Sequence, residues 1–184
     1  MQDLEGHKIE IYAISRYWFN KSKSFQRNDD FFSRFIYLWI SFNTLYDFYG
    51  DLNNENEYNR ICSTIDQVFK NSDFGFLHKD FLNLEPIKEK CNFLMNAKII
   101  DIKRFLLEKK QFYLLDLNKY NEITDDIEKI KLVFSAIYRI RSNLVHGSKG
   151  HIDYAIRDEK LVKTANEILY NLLEIILNNK FKFY

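Results

Sequence analysis

Apolar residues recur along this chain at intervals of three and four, the spacing that gathers them on one face of a helix. The pattern is clearest over residues 30–49. There Phe31, Phe35, Leu38, Phe42, Leu45 and Tyr49 form one row, and Phe32, Trp39 and Tyr46 form a second beside it. Two adjacent rows make a wide apolar stripe, which predicts a central helix with more than one neighbour. Upstream, Ile9, Tyr12, Ala13, Tyr17 and Phe19 predict a helix over residues 4–24, and Asn28-Asp29-Asp30 supplies a break and N-cap candidates for the next one. Gly50 suits a C-terminal stop, and residues 51–56 read as a polar loop. Ile61, Ile65, Val68 and Phe69 predict a third helix over 57–71.

Residues 72–120 carry weaker periodicity. Short helices are expected over 76–82 and 87–95, the latter opened by Pro86, while 99–117 reads equally as helix or irregular chain. The pattern strengthens again after Asp125, which with Glu128 three residues on matches a capping box. Ile127, Ile130, Phe134, Ile137, Arg141 and Leu144 follow in register, and Gly147 ends the run. Residues 148–155 read as a loop. A last helix over 157–178 turns Leu161, Ala165, Ile168, Leu169, Leu172, Ile175 and Ile176 inward. The fold class is therefore all-α: a bundle of about five main helices with short helices in 72–120, forming one domain over residues 1–184.

Composition agrees. Five glycines and one proline in 184 residues are too few for a β architecture that turns every 8–12 residues. Seventeen Phe and twelve Tyr make the core aromatic-rich. Cys62 and Cys91 form no metal-type spacing and read as buried, reduced thiols. No basic, apolar leader and no apolar run of membrane-spanning length is visible, so a cytoplasmic location without membrane attachment is expected.

Net charge is +1, too small for the whole-chain field to attract nucleic acid. Its distribution is uneven. Between Lys129 and Lys163 eight basic residues face three acids, a local excess of five positive charges. Solvated helix faces and an RNA-binding surface both account for this, with Arg139, Lys149 and Arg157 the candidate RNA contacts.

Within that segment lies Arg141-Ser142-Asn143-Leu144-Val145-His146. Arg141 occupies a core-register position, which is costly unless the guanidinium is paired or lines a wet cleft. Arginine grips phosphate oxygens bidentately, and histidine both takes and gives a proton near neutral pH. Five residues turn an ideal helix by 500°, so Arg141 and His146 point about 140° apart. They converge if the arginine curls round, if the helix unwinds near Gly147, or if a second subunit contributes. A purely structural role is also open, because cations in the last turns of a helix stabilise its negative end by about 0.3–1 kcal/mol.

The stretch from Ile137 through Arg141-Ser142-Asn143-Leu144-Val145-His146-Gly147 to Lys149 resembles the signature of the HEPN superfamily, particularly its Apea-like branch. So does Arg34-Phe35-Ile36-Tyr37-Leu38-Trp39-Ile40-Ser41-Phe42-Asn43-Thr44-Leu45-Tyr46, and so does the Arg157-Asp158, Leu161-Val162, Ala165 pattern opening the last helix. The three segments touch about a third of the chain in the family's order. The resemblance implies a helical homodimer in which two R-x4-H motifs face one another. It also implies a metal-independent, cofactor-free endoribonuclease of bacterial defence, toxin–antitoxin or stress systems, acting on RNA and held in check by an antitoxin or other regulatory protein. In that reading His146 is the acid/base at the ribose 2′-hydroxyl, Arg141 holds the scissile phosphate, and Asn143 orients His146 or the phosphate. Asn43 is either a hydrogen-bonded core asparagine or a supporting group beneath the motif. Ser148 stands where one branch of the family has a tyrosine that is nucleotidylated. Some relatives bind RNA, a nucleotide or a protein partner without cleaving, which is the alternative function.

Overall fold

A computed structural model describes residues 2–25, 30–49, 56–70, 81–97, 99, 118–145 and 152–180. All regular structure among them is helical: α1 (Gln2–Lys23), α2 (Phe31–Tyr49), α3 (Glu57–Lys70), α4 (Glu85–Asn96), a 3-10 turn (Asn118–Asn121), α5 (Asp126–Val145) and α6 (Ile152–Lys180). The wide stripe on α2 has the expected consequence. This helix packs on α1 along one side and on α6 and α3 along others, while α4 and α5 close the bundle against α6 and each other.

The start signals act locally. Asp30 accepts from the Ser33 amide at 3.0 Å and so caps α2. Asp125 accepts from the Ile127 and Glu128 amides at 2.7 and 3.1 Å. The Glu128 carboxylate turns outward to Lys131 rather than back to the cap. Pro86 sits in the first turn of α4, where a missing N–H is harmless. α6 begins at Ile152 rather than near 157, so part of the expected 148–155 loop is helical. Residues 152–156 hold no helix breaker. Of the expected 76–82 helix, residues 81 and 82 are helical, while 76–80, most of 99–117 and the Gly50 and Gly147 stops lie outside the described residues.

One continuous core includes Phe35, Trp39, Phe42, Phe134, Ile137, Leu169 and Leu172, contributed by three helices. Phe42 lies at its centre, with ring centroids 4.9 Å from Phe134, 5.5 Å from Tyr46 and 5.9 Å from Trp39. Each fully buried aromatic of this kind contributes about 1.5–3 kcal/mol.

Two faces differ from the pattern-based expectation. On α1, Ile9 and Tyr17 are exposed, and the buried line is Tyr12, Ser15, Phe19 and Ser22. The reason is the α1–α2 contact. Ser15 Oγ donates to the Ser41 carbonyl at 2.9 Å and Ser41 Oγ donates to the Ser15 carbonyl at 2.8 Å. Small, mutually satisfied hydroxyls let the helices approach where larger apolar residues would separate them. On α2, Phe32 is 42% exposed, and Arg34 and Ser41 are buried in its place. His7 is exposed.

Candidate functional site

Arg141 lies one turn before the described end of α5 and does not stand unpaired among the apolar residues around it. Its Nη1 meets Glu57 Oε2 at 3.4 Å, and its guanidinium carbon lies 5.7 Å from the centre of the Trp39 ring. The side chain stays 30% exposed. The cost of placing a charge at a core-register position is thus offset by a carboxylate from α3 and an aromatic face from α2.

Glu57 is the hub of a network that joins three helices. It is the first residue of α3, where the helix dipole favours an acid. Its other oxygen, Oε1, accepts from the Tyr46 hydroxyl at 2.6 Å. Burial, reinforced by that carboxylate, holds the Tyr46 hydroxyl well above the usual tyrosine range. Burial and the same carboxylate also raise Tyr138. Both hydroxyls therefore stay protonated and act as donors.

Asn43 enters this network from its outer edge. It is half-buried on α2, and its Nδ2 donates to Asp47 Oδ2 at 2.7 Å. Asp47 Oδ1 meets Arg60 Nη1 at 3.0 Å, and Arg60 lies 5.9 Å from the Tyr46 ring centre. A chain of polar and cation–π contacts thus runs from Asn43 through Asp47, Arg60, Tyr46 and Glu57 to Arg141. Trp39 and Tyr46, which pattern alone assigns to the core, are buried, yet one faces a guanidinium and the other donates to a carboxylate.

The remaining sequence candidates fall in two groups. Arg139 and Asn143 are half-buried on α5 within two residues of Arg141. His146 and Lys149 lie outside the described residues, and for Arg157 only the helical backbone is described. Glu57 belongs to no motif legible in the sequence. Its signal was faint: an acid at the start of an amphipathic helix, unrelated by spacing to the Arg141 segment.

Chemically, the arrangement holds one guanidinium by a single edge and an aromatic face, with neutral phenol donors beneath the carboxylate. No protein-family model, no curated protein and no solved structure matches this chain.

Proposed function

We propose that this protein is a metal-independent endoribonuclease of the HEPN type, working as a homodimer in bacterial defence or stress. The observation that carries the reading is the anchoring of Arg141. Glu57 and Trp39 occupy one edge and one face of its guanidinium, and the side chain is still partly exposed. A guanidinium has five N–H donors, so a phosphate can be gripped by the outward edge while the inner edge is held still. Such a pre-oriented cation lowers the cost of stabilising charge that develops in a transition state. The three segments that resemble the family supply the rest. His146 takes the proton of the ribose 2′-hydroxyl and returns one to the leaving oxygen, Arg141 carries the phosphate charge, and Asn143 orients His146 or the phosphate. Pairing of two motifs across a dimer would answer the 140° divergence of Arg141 and His146 on one helix.

The ion pair also favours a second reading. A guanidinium satisfied by Glu57 has a structural reason to be where it is, so the motif suits equally a non-catalytic module that binds RNA, a nucleotide or a protein partner.

Incubation of total RNA with the protein in EDTA separates the two. The enzymatic reading expects cleavage with 2′,3′-cyclic phosphate ends and survival of a substrate carrying 2′-deoxyribose at the scissile position. His146→Ala should lower the rate by about 10²–10⁴-fold, the usual worth of positioned proton transfer. Arg141→Lys should also be poor, because a point charge does not replace a planar fork. RNA bound but uncut by the wild type would establish the second reading. Light scattering at micromolar protein tests the dimer, and a monomer would remove the composite site.

A further inference from the structure

Glu57 holds Arg141 more weakly than a neighbouring carboxylate ordinarily holds an arginine. Such pairs close into a bidentate fork, with parallel N–H···O bonds of about 2.7–2.9 Å. Here a single nitrogen, Nη1, meets a single oxygen, Glu57 Oε2, at 3.4 Å. No other carboxylate pairs with Arg141 among the described residues. Both side chains are partly exposed, so neither is locked in place by close packing alone.

Tyr46 restrains the carboxylate. Its hydroxyl donates to the other oxygen, Oε1, at 2.6 Å, the short length expected of a hydroxyl on a charged acceptor. Tyr46 is fully buried and does not follow Glu57 if that side chain turns. Its ring lies 5.5 Å from Phe42 and 6.2 Å from Trp39, edge-on to both, and the Arg60 guanidinium lies 5.9 Å from its centre. A carboxylate tied through one oxygen to a fixed phenol turns only by breaking that bond. The 2.6 Å contact therefore sets the rotation of Glu57, and Arg141 receives the 3.4 Å contact that remains. The Trp39 ring, 5.7 Å from the guanidinium carbon, supports the plane of the group without using any of its five N–H donors.

We infer that Tyr46 is a positioning residue: by fixing Glu57 through Oε1 it prevents a bidentate Glu57–Arg141 pair and keeps the guanidinium available to an anionic ligand. The inference rests on Arg141 being the phosphate clamp proposed above, which makes that ligand the RNA backbone. The phenol acts through Glu57 and touches no substrate.

Tyr46→Phe removes one oxygen from the buried ring and nothing else. With the phenol gone, Glu57 should close on Arg141. Reaction of Arg141 with butanedione, which condenses with both terminal nitrogens of an arginine, should then slow by about tenfold, the lower end of what one added hydrogen bond to a charged group is worth. Peptide mass spectrometry of the full chain reads this rate without RNA. Glu57→Gln added to Tyr46→Phe should restore the wild-type rate, because a neutral amide forms no ion pair with the guanidinium. A merely structural Tyr46 would lower stability without this rescue, since a second substitution in the same network would not undo the first. An uncleavable 2′-O-methyl RNA oligonucleotide should bind Tyr46→Phe more weakly and the double variant as it binds the wild type. Glu57→Gln alone should leave Arg141 at least as reactive as in the wild type. Arg141 reactivity unchanged or raised in Tyr46→Phe overturns the inference, as does a double variant that stays slow or a slower reaction in Glu57→Gln alone. If reactivity follows the expected pattern while no form of the protein binds or cleaves RNA, the positioning role stands and the ribonuclease reading falls.

Discussion

The Glu57 hub makes a quantitative prediction. Truncation by Glu57→Ala removes the acceptor of a Tyr46 hydroxyl that is 0% exposed and bonded at 2.6 Å. Leaving a buried hydroxyl unsatisfied costs about 1–3 kcal/mol. Losing the Arg141 pair adds less, because it is 3.4 Å long and its side chains are 30% and 23% exposed, and such pairs contribute about 0–1 kcal/mol. Losing a carboxylate at the first residue of α3 adds about 0.3–1 kcal/mol. The variant should therefore be destabilised by about 1–5 kcal/mol, and for a chain of this size each kcal/mol lowers the melting temperature by roughly 2–4 °C. Combining Glu57→Ala with Tyr46→Phe closes a double-mutant cycle. Once the hydroxyl is gone it no longer needs an acceptor, so the double variant should be less destabilised than the sum of the singles, with a coupling of about 1–2 kcal/mol. Urea denaturation followed by circular dichroism measures all four proteins. A coupling below about 0.5 kcal/mol, or a Glu57→Ala cost within the roughly 0.5 kcal/mol of an ordinary surface change, would refute the network as a unit.

Other outcomes follow from the same structure. Phe42→Ala should cost about 3–5 kcal/mol in urea denaturation, since the side chain is 1% exposed and packed among three aromatic rings, and an unchanged midpoint would contradict its central position. Asp125→Ala should cost about 1 kcal/mol by removing the cap of α5, with loss of amide protection confined to its first turn. Alkaline pH should destabilise the fold. Burial pushes the Cys91 thiol and the Tyr120 hydroxyl up to about 12 and holds Tyr46 above its usual range. The folded state keeps these protons while the unfolded chain gives them up above about pH 8.5 for Cys and about pH 10 for Tyr. Their contribution is thus complete below about pH 8.5 and declines as pH rises toward 12. Cys91→Ala should flatten the part of the decline that begins near pH 8.5, and a wild-type stability that stays level between about pH 9 and 11 would count against this account.

Periodicity along the chain made the fold class and most of its helices legible. Periodicity places α2, α3 and α5 within a residue or two of where they lie, and Asp30, Pro86 and Asp125 act as helix starts because each signal is local, a side chain and an amide a few residues apart. That Arg141 needs a partner was legible for the same reason: a cation interrupting an apolar register must be compensated by something. What compensates it was not legible. Glu57 lies 84 residues away, and only the packing of α3 on α5 brings the two together. Likewise no period reveals that Ser15 and Ser41 outcompete Ile9 and Tyr17 for the interior, since their hydroxyls are tolerable there only because each donates to the carbonyl of the other. A basic cavity lined by Arg34, Lys90, Lys160 and Lys163 draws on α2, α4 and α6, and its lysines are unremarkable on any single helix. Local chemistry is written in neighbouring residues, whereas burial, pairing and cavities depend on which helix faces meet, and that is a property of the assembled bundle alone.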